Sequence, residues 1–131
     1  MAINKGYQTY QQNSVMTASP EELTLMLYDG CLKFMRQANL FIEDNQIENA
    51  HRAIVKAQNI IEELNLTLKM EYPIAESLRP LYLFILERLY DANVKKDTAI
   101  IDEVYPLVKD LRDTWKEAMK SAKIERKMGR K

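Results

Sequence analysis

Ile47, Ala50, Ile54, Ala57, Ile61, Leu64 and Leu68 follow one another at alternating steps of three and four residues. That is the 3.5-residue period of a helix with one apolar seam, packed at a shallow angle in a left-handed bundle. A strand would alternate every second residue, so this segment is confined to helix. Met70-Glu71-Tyr72-Pro73 ends it, because Pro73 disfavours helical backbone in the residue before it.

The rest of the chain repeats the theme. Ser19-Pro20-Glu21-Glu22 is a helix start: Ser19 can cap, Pro20 suits the first helical position, and Glu22 completes a Ser-x-x-Glu box. A first helix is predicted from there to about Asp44, with Leu23, Met26, Leu27, Cys31, Phe34, Met35, Ala38, Phe41 and Ile42 as its apolar stripe. Gly30 interrupts that helix at a cost of up to ~1 kcal/mol against Ala, which close approach by a neighbouring helix would explain. A third helix is predicted from about Ala75 to Lys95, carrying Leu78, Leu81, Tyr82, Ile85, Leu89 and Ala92. A fourth runs from about Thr98 to Ala122, with Ile101, Val104, Val108, Leu111, Trp115 and Met119, and with Pro106 set to kink it or remove one hydrogen bond. Only three glycines occur in 131 residues, too few for a turn-rich sheet protein. The expected fold is all-α: an antiparallel up-down-up-down four-helix bundle over residues 19–122, with an N-terminal cap segment at 1–18 and a basic C-terminal tail at 123–131.

Most catalytic chemistries find no purchase. Glu48 and His51 have the Glu-x-x-His spacing of di-iron bundles, but that site needs the pair twice and His51 is the only histidine. Glu48 also points well away from a core built on Ile47, Ala50 and Ile54, so His51 reads as a solvated flank residue. Cys31, the one cysteine, excludes an internal disulfide and reads as a small buried hydrophobe. No glycine-rich phosphate loop, serine elbow or paired-carboxylate signature occurs. The chain is expected to be a non-enzyme without cofactor or metal. It has no secretory h-region, and its longest apolar run, Leu81 to Leu86, is far short of a bilayer span, so it reads as cytoplasmic with no membrane insertion.

Two features are left over. Nineteen basic and nineteen acidic residues cancel, yet residues 120–131 hold six basic residues and one acid, leaving residues 1–119 with thirteen and eighteen. The basic end could meet an acidic partner or RNA, or simply be solvated. The chain also has more apolar residues than the core stripes need: Leu25, Tyr28, Leu32 and Leu40 in the first helix, Ala53, Ile60 and Leu66 in the second, Leu83, Phe84, Leu86, Tyr90 and Val94 in the third. These fit either broad stripes with scattered surface hydrophobes or grooves kept for a partner segment.

Tyr7-x-x-Tyr10-Gln11 followed by Val15-x-Thr17-Ala18-Ser19-Pro20-Glu21-Glu22-Leu23-x-x-Met26-Leu27-Tyr28-Asp29-Gly30 resembles the start of the flagellar secretion chaperone FliS family. Lys56-Ala57-Gln58-Asn59-Ile60-Ile61 with Leu64, Leu81-Tyr82 with Arg88-Leu89-x-x-Ala92-Asn93, and Glu103-Val104 with Asp113-x-Trp115-Lys116 continue it in order, over about residues 7–118. The sequence departs from the family at Met70-Glu71-Tyr72-Pro73, at Leu83-Phe84-Ile85 and at Pro106. The resemblance implies a cytoplasmic export chaperone that holds the C-terminal segment of flagellin, prevents early polymerisation and keeps the client ready for type III secretion without ATP. Export-apparatus or assembly-factor proteins would be further partners.

It also implies that Tyr7 and Tyr10 lie in a segment that folds over the binding surface and moves aside for the client. On the bundle, the flagellin groove is expected at Ile54, Ala57, Ile61 and Leu64 of the second helix with Leu86, Leu89 and Asn93 of the third. Each of those aliphatics fits a plain core position equally well. A nucleic-acid-binding bundle using the basic tail, and a homodimeric scaffold, are the competing readings, though no nucleic acid is expected as a partner.

Overall fold

The computed structural model describes residues 17–71 and 73–128. Four helices make it up: α1 Pro20–Glu43, α2 Ile47–Leu66, α3 Ala75–Lys95 and α4 Thr98–Met128, with no strand among the described residues. α1 starts as the sequence predicts. The Ser19 hydroxyl accepts the Glu22 N–H at 3.2 Å, satisfying one of the free donors of the first turn, and Pro20 needs no donor of its own.

The turns are equally local. After α1 the Gln46 N–H reaches the Phe41 carbonyl at 2.8 Å and the Asn45 N–H reaches Ile42 at 3.1 Å, with Asn45 left-handed at φ 58°. This pair of bonds is a Schellman closure, and asparagine is one of the few side chains that tolerates that backbone. Lys96 takes the same conformation after α3, at φ 50°, and the Asp97 N–H returns to the Ala92 carbonyl at 3.3 Å. The Asp97 carboxylate then accepts the Ala99 N–H at 2.9 Å and so opens α4.

Each helix packs on its predecessor, and α1 also packs on α4, which closes the four into a ring. Pairs such as Asn65 with Arg79, His51 with Asn93, and Asp29 with Arg112 set neighbouring helices antiparallel. The core between them holds Met35, Ile54, Ile61, Ile85, Leu89, Ile101, Val104 and Val108, none more than 1% exposed. The Gly30 expectation holds: a β-carbon there would meet Ile60 Cδ1 of α2 at 3.3 Å.

Three expectations need adjustment. Tyr28 and Leu32 lie off the sequence-derived stripe of α1 yet are buried, because α1 presents one flank to α2 and the other to α4. The even seam of α2 is core only in its middle, since Ile47 is exposed and Leu68 half-buried at its ends. α4 does not stop near Ala122 but runs to Met128, through a stretch of good helix formers before Gly129. The tail expected from residue 123 is thus helical backbone as far as 128. Pro106 leaves one carbonyl without its amide partner, and α4 continues across it.

Candidate interaction surface

The residues expected to line a groove divide sharply. Ile54, Ala57, Ile61, Leu64, Leu86 and Leu89 are 0–8% exposed and belong to the bundle core, so an open groove is not built from them. For all but Leu86 the physical reason is the spacing itself, which brings them to the face that the other helices cover; Leu86 lies off the α3 stripe and is covered at the seam where Gln58 of α2 stands opposite it. Asn93 is half-buried at the α2/α3 seam, where its side chain meets His51 Nδ1 at 3.0 Å and accepts from Lys96 Nζ at 2.7 Å. Tyr7 and Tyr10 lie outside the described residues.

The apolar surface lies one step further round the same two helices. Leu66 of α2 and Leu83, Tyr90 and Val94 of α3 are exposed, Leu66 at 78% and Val94 at 85%. On the α3 wheel, Leu83, Tyr90 and Val94 fall on one edge, the edge that carries Arg79 and Asn93 towards α2. Half-buried Val55 and the rim of Leu86 extend this face. The Tyr90 hydroxyl donates to Glu62 Oε1 at 2.8 Å, and that hydrogen bond, with some burial, raises its pKa. In the register set by Asn65 with Arg79, Gln58 stands opposite Leu86. It is 5% exposed, and its amide nitrogen has no partner among the described residues. The sequence did carry this signal, because Leu66, Leu83, Tyr90 and Val94 all belong to the apolar surplus outside the core stripes.

A second apolar feature sits at the end of the bundle where α1 begins. A cavity of about 450 Å³ opens between Pro20, Leu23 and Leu27 of α1, Leu68 after α2, and Ile74 and Leu78 at the start of α3. Trp115 of α4 walls it and donates its indole N–H to the Glu21 carbonyl at 2.9 Å. Tyr28 and Tyr82 form its floor, their hydroxyls 2.6 Å apart. Burial raises both phenols, Tyr28 the more strongly, because the hydrogen bond between them and the charge of Tyr82 raise Tyr28 further while the same bond lowers Tyr82. The cavity and the α2/α3 face together offer apolar contact on two parts of the bundle.

Reactive groups are placed for structure. Cys31 is fully buried, with its sulfur 3.8 Å from Met35 Sδ and 3.9 Å from the Ala57 carbonyl, and burial pushes its thiol up to about 12. A thiol held neutral is a poor nucleophile. His51 is exposed and bonded to Asn93, with no carboxylate in that pairing. Among the described residues no group of three or more His, Cys, Asp or Glu gathers as metal ligands would, and no helix is long and apolar enough to cross a membrane.

Comparison with known proteins points one way. The family model of flagellar protein FliS matches residues 3–122. A flagellar secretion chaperone FliS from Bacillus subtilis (strain 168) is 48% identical over 126 residues, covering 96% of this chain and 95% of the relative. One from Escherichia coli (strain K12) is 34% identical, covering 95% and 96%. A crystal structure described as a flagellar chaperone from bacteria superposes with a TM-score of 0.74 at 25% identity, over 89% of this chain and 97% of that one.

Proposed function

The chain belongs to the family of flagellar protein FliS, and from that premise we propose that it is a cytoplasmic chaperone for flagellin. It binds the C-terminal segment of the newly made client and hides the apolar surface through which flagellin would polymerise early. The client stays non-native and ready for type III export, and no nucleotide or cofactor takes part. Binding is by burial of apolar side chains, so no bond is made or broken.

The observation that supports this reading best is the α2/α3 face, where Leu66 of α2 and Leu83, Tyr90 and Val94 of α3 are exposed along one flank of the bundle. A contiguous apolar patch on one face marks a partner site more often than it marks chance. An amphipathic client helix laid along that face would bury these side chains over Leu86, with Gln58 and Asn93 as the polar groups in its floor. Ile54, Ala57, Ile61, Leu64 and Leu89 act from beneath, by holding the two helices at their spacing. We further propose that the segment carrying Tyr7 and Tyr10 folds over part of the client-binding surface and moves aside when flagellin arrives.

Calorimetry with a peptide of the flagellin C-terminus tests the reading. A complex is expected, and Leu83→Glu with Val94→Glu should weaken it at least tenfold, since burying one such side chain contributes about 1.5–3 kcal/mol. Deleting residues 1–17 should leave binding intact or tighter. No heat at roughly tens of micromolar peptide, a range in which binding worth about 6–7 kcal/mol is visible, would sink the chaperone reading.

A further inference from the structure

The ring order places the α1/α4 seam across the bundle from the α2/α3 face. A groove of about 350 Å³ runs along that seam, with Lys33 and Arg36 contributed by α1 and Lys109 and Arg112 by α4. Asp29 is the one carboxylate in its lining. Arg112 meets Asp29 at 2.9 Å and Asp113 at 3.0 Å, and Lys109 meets Asp113 at 3.3 Å. Arg36 is held by an aromatic ring of the groove instead, 5.3 Å from the Tyr105 centroid, while the Lys33 ammonium lies at the rim, 5.1 Å from the centroid of Phe34, a ring outside the groove lining that Lys56 of α2 also covers. A ring fixes a cation without cancelling it, so Arg36, Lys109 and Arg112 against Asp29 and Asp113 leave the groove net positive, with Lys33 adding to it from the rim. Exposed Leu40 and the edge of buried Leu32 give it an apolar component. From Arg112 the same edge of α4 continues through Lys116, Lys120 and Lys123, at steps of four, four and three, with Glu21 and Glu22 near its far end.

We propose that the α1/α4 groove is a second docking surface, which takes an acidic, leucine-bearing segment of a partner protein while the α2/α3 face is free or occupied. Charge complementarity selects the occupant: glutamates or aspartates of the partner meet Lys33, Arg36 and Lys109, and its leucines meet Leu40. A nucleic acid fits less well, because Asp29 and Asp113 sit among the cations and would repel a phosphate run, and the Tyr105 ring is already covered by Arg36. A second copy of this chain fits less well too: nine residues line the groove, against roughly 20–30 a side in a stable dimer.

The test titrates the full chain, alone and loaded with the flagellin peptide, with a labelled helical peptide bearing glutamates on one face and leucines on the other. The expected result is binding of similar strength in both forms, falling at least about tenfold when salt rises from ~0.05 to ~0.3 M as the screening length shrinks. Lys33→Glu with Arg36→Glu should weaken it by about tenfold or more and Lys33→Gln with Arg36→Gln by less, while both variants keep the wild-type melting temperature and flagellin-peptide affinity. The proposal is overturned if a glutamine version of the peptide binds as well, if the charge-reversed variant binds unchanged, or if flagellin peptide displaces the probe. It is equally overturned if an RNA oligonucleotide binds there more tightly, or if sedimentation shows a dimer that the charge reversal dissolves. Loss of flagellin binding with retention of the acidic peptide would remove the client assignment and leave this surface standing.

Discussion

Tyr28 and Tyr82 are 54 positions apart in sequence and meet hydroxyl to hydroxyl at 2.6 Å, both nearly inaccessible, on the floor of the end cavity. Tyr28→Phe keeps the ring and its packing and removes one oxygen. The Tyr82 hydroxyl is then left without its partner, and an unsatisfied buried hydroxyl costs about 1–3 kcal/mol. Because the pair borders a cavity that water can enter, the lower half of that range applies, about 1–2 kcal/mol. Tyr82→Phe should cost a similar amount for the mirror-image reason. The double variant removes both polar groups at once and should come within about 0.5 kcal/mol of wild type, so the cycle shows a coupling of about 1.5–4 kcal/mol. Urea unfolding followed through Trp115, the only tryptophan, reads all four proteins; each single variant should lose roughly 2–6 °C in a thermal scan. A double variant as unstable as the sum of the singles would refute the reasoning, because the hydroxyls would then not depend on each other. The pH dependence adds a second check. Burial raises both folded phenol pKa values above the unfolded value of 10.0, so their contribution is complete below about pH 10 and is lost as pH climbs above it. The double variant should lose the tyrosine share of the alkaline fall and keep only the share due to Cys31.

Cys31 should resist a thiol reagent in the native protein near pH 8 and react at once in denaturant, because burial raises its pKa from 9.0 to about 12; stability should fall as pH rises through that window, and fast native reaction would contradict the burial. Gly30→Ala should stabilise by about 0.5 kcal/mol in urea titration, the helix-propensity gain of up to ~1 kcal/mol being partly offset by moving Ile60 Cδ1 a few tenths of an ångström; a loss above ~1 kcal/mol would mean Ile60 cannot give way. Lys96→Gly should also stabilise, by about 0.5 kcal/mol, since glycine relieves the left-handed backbone at φ 50° while forfeiting the Lys96 bond to Asn93 Oδ1; the urea midpoint decides.

Helices and their starts were legible in the sequence because each rests on local chemistry. Ser19 with Pro20 and Pro73 after α2 act within a turn or two, and the α2 spacing reports one face directly. The end of α4 was harder, because nothing between Ala122 and Met128 breaks a helix and no local residue marks a stop. Which apolar residues touch solvent was not legible from periodicity. A stripe gives the direction of the core from one helix, but not how far neighbouring helices reach round it. Tyr28 and Leu86 lie off their stripes and are covered; Leu83 and Val94 lie further off and are not. Ile54, Ile61 and Leu89 looked equally suited to groove or core until the ring of four helices closed over them.

The two flanks of α3 decide where an apolar partner can lie. Towards α4, Arg88 bridges Glu103 at 2.9 Å and Asp91 at 3.0 Å, so that flank is tied up in charges which a greasy segment would have to strip of water. Phe84 is the exception on that side. Towards α2, the surface passes from buried Tyr82 and Leu86 to exposed Leu83, Tyr90 and Val94, and its polar contacts are Arg79 with Asn65, His51 and Lys96 with Asn93, and Tyr90 with Glu62, none of them a salt bridge. Covering this flank therefore removes apolar area from water without separating an ion pair. Covering the opposite one would gain less area and disturb the Arg88 network. Of the two flanks of α3, the side chains therefore leave the one towards α2 as the better suited to an apolar segment.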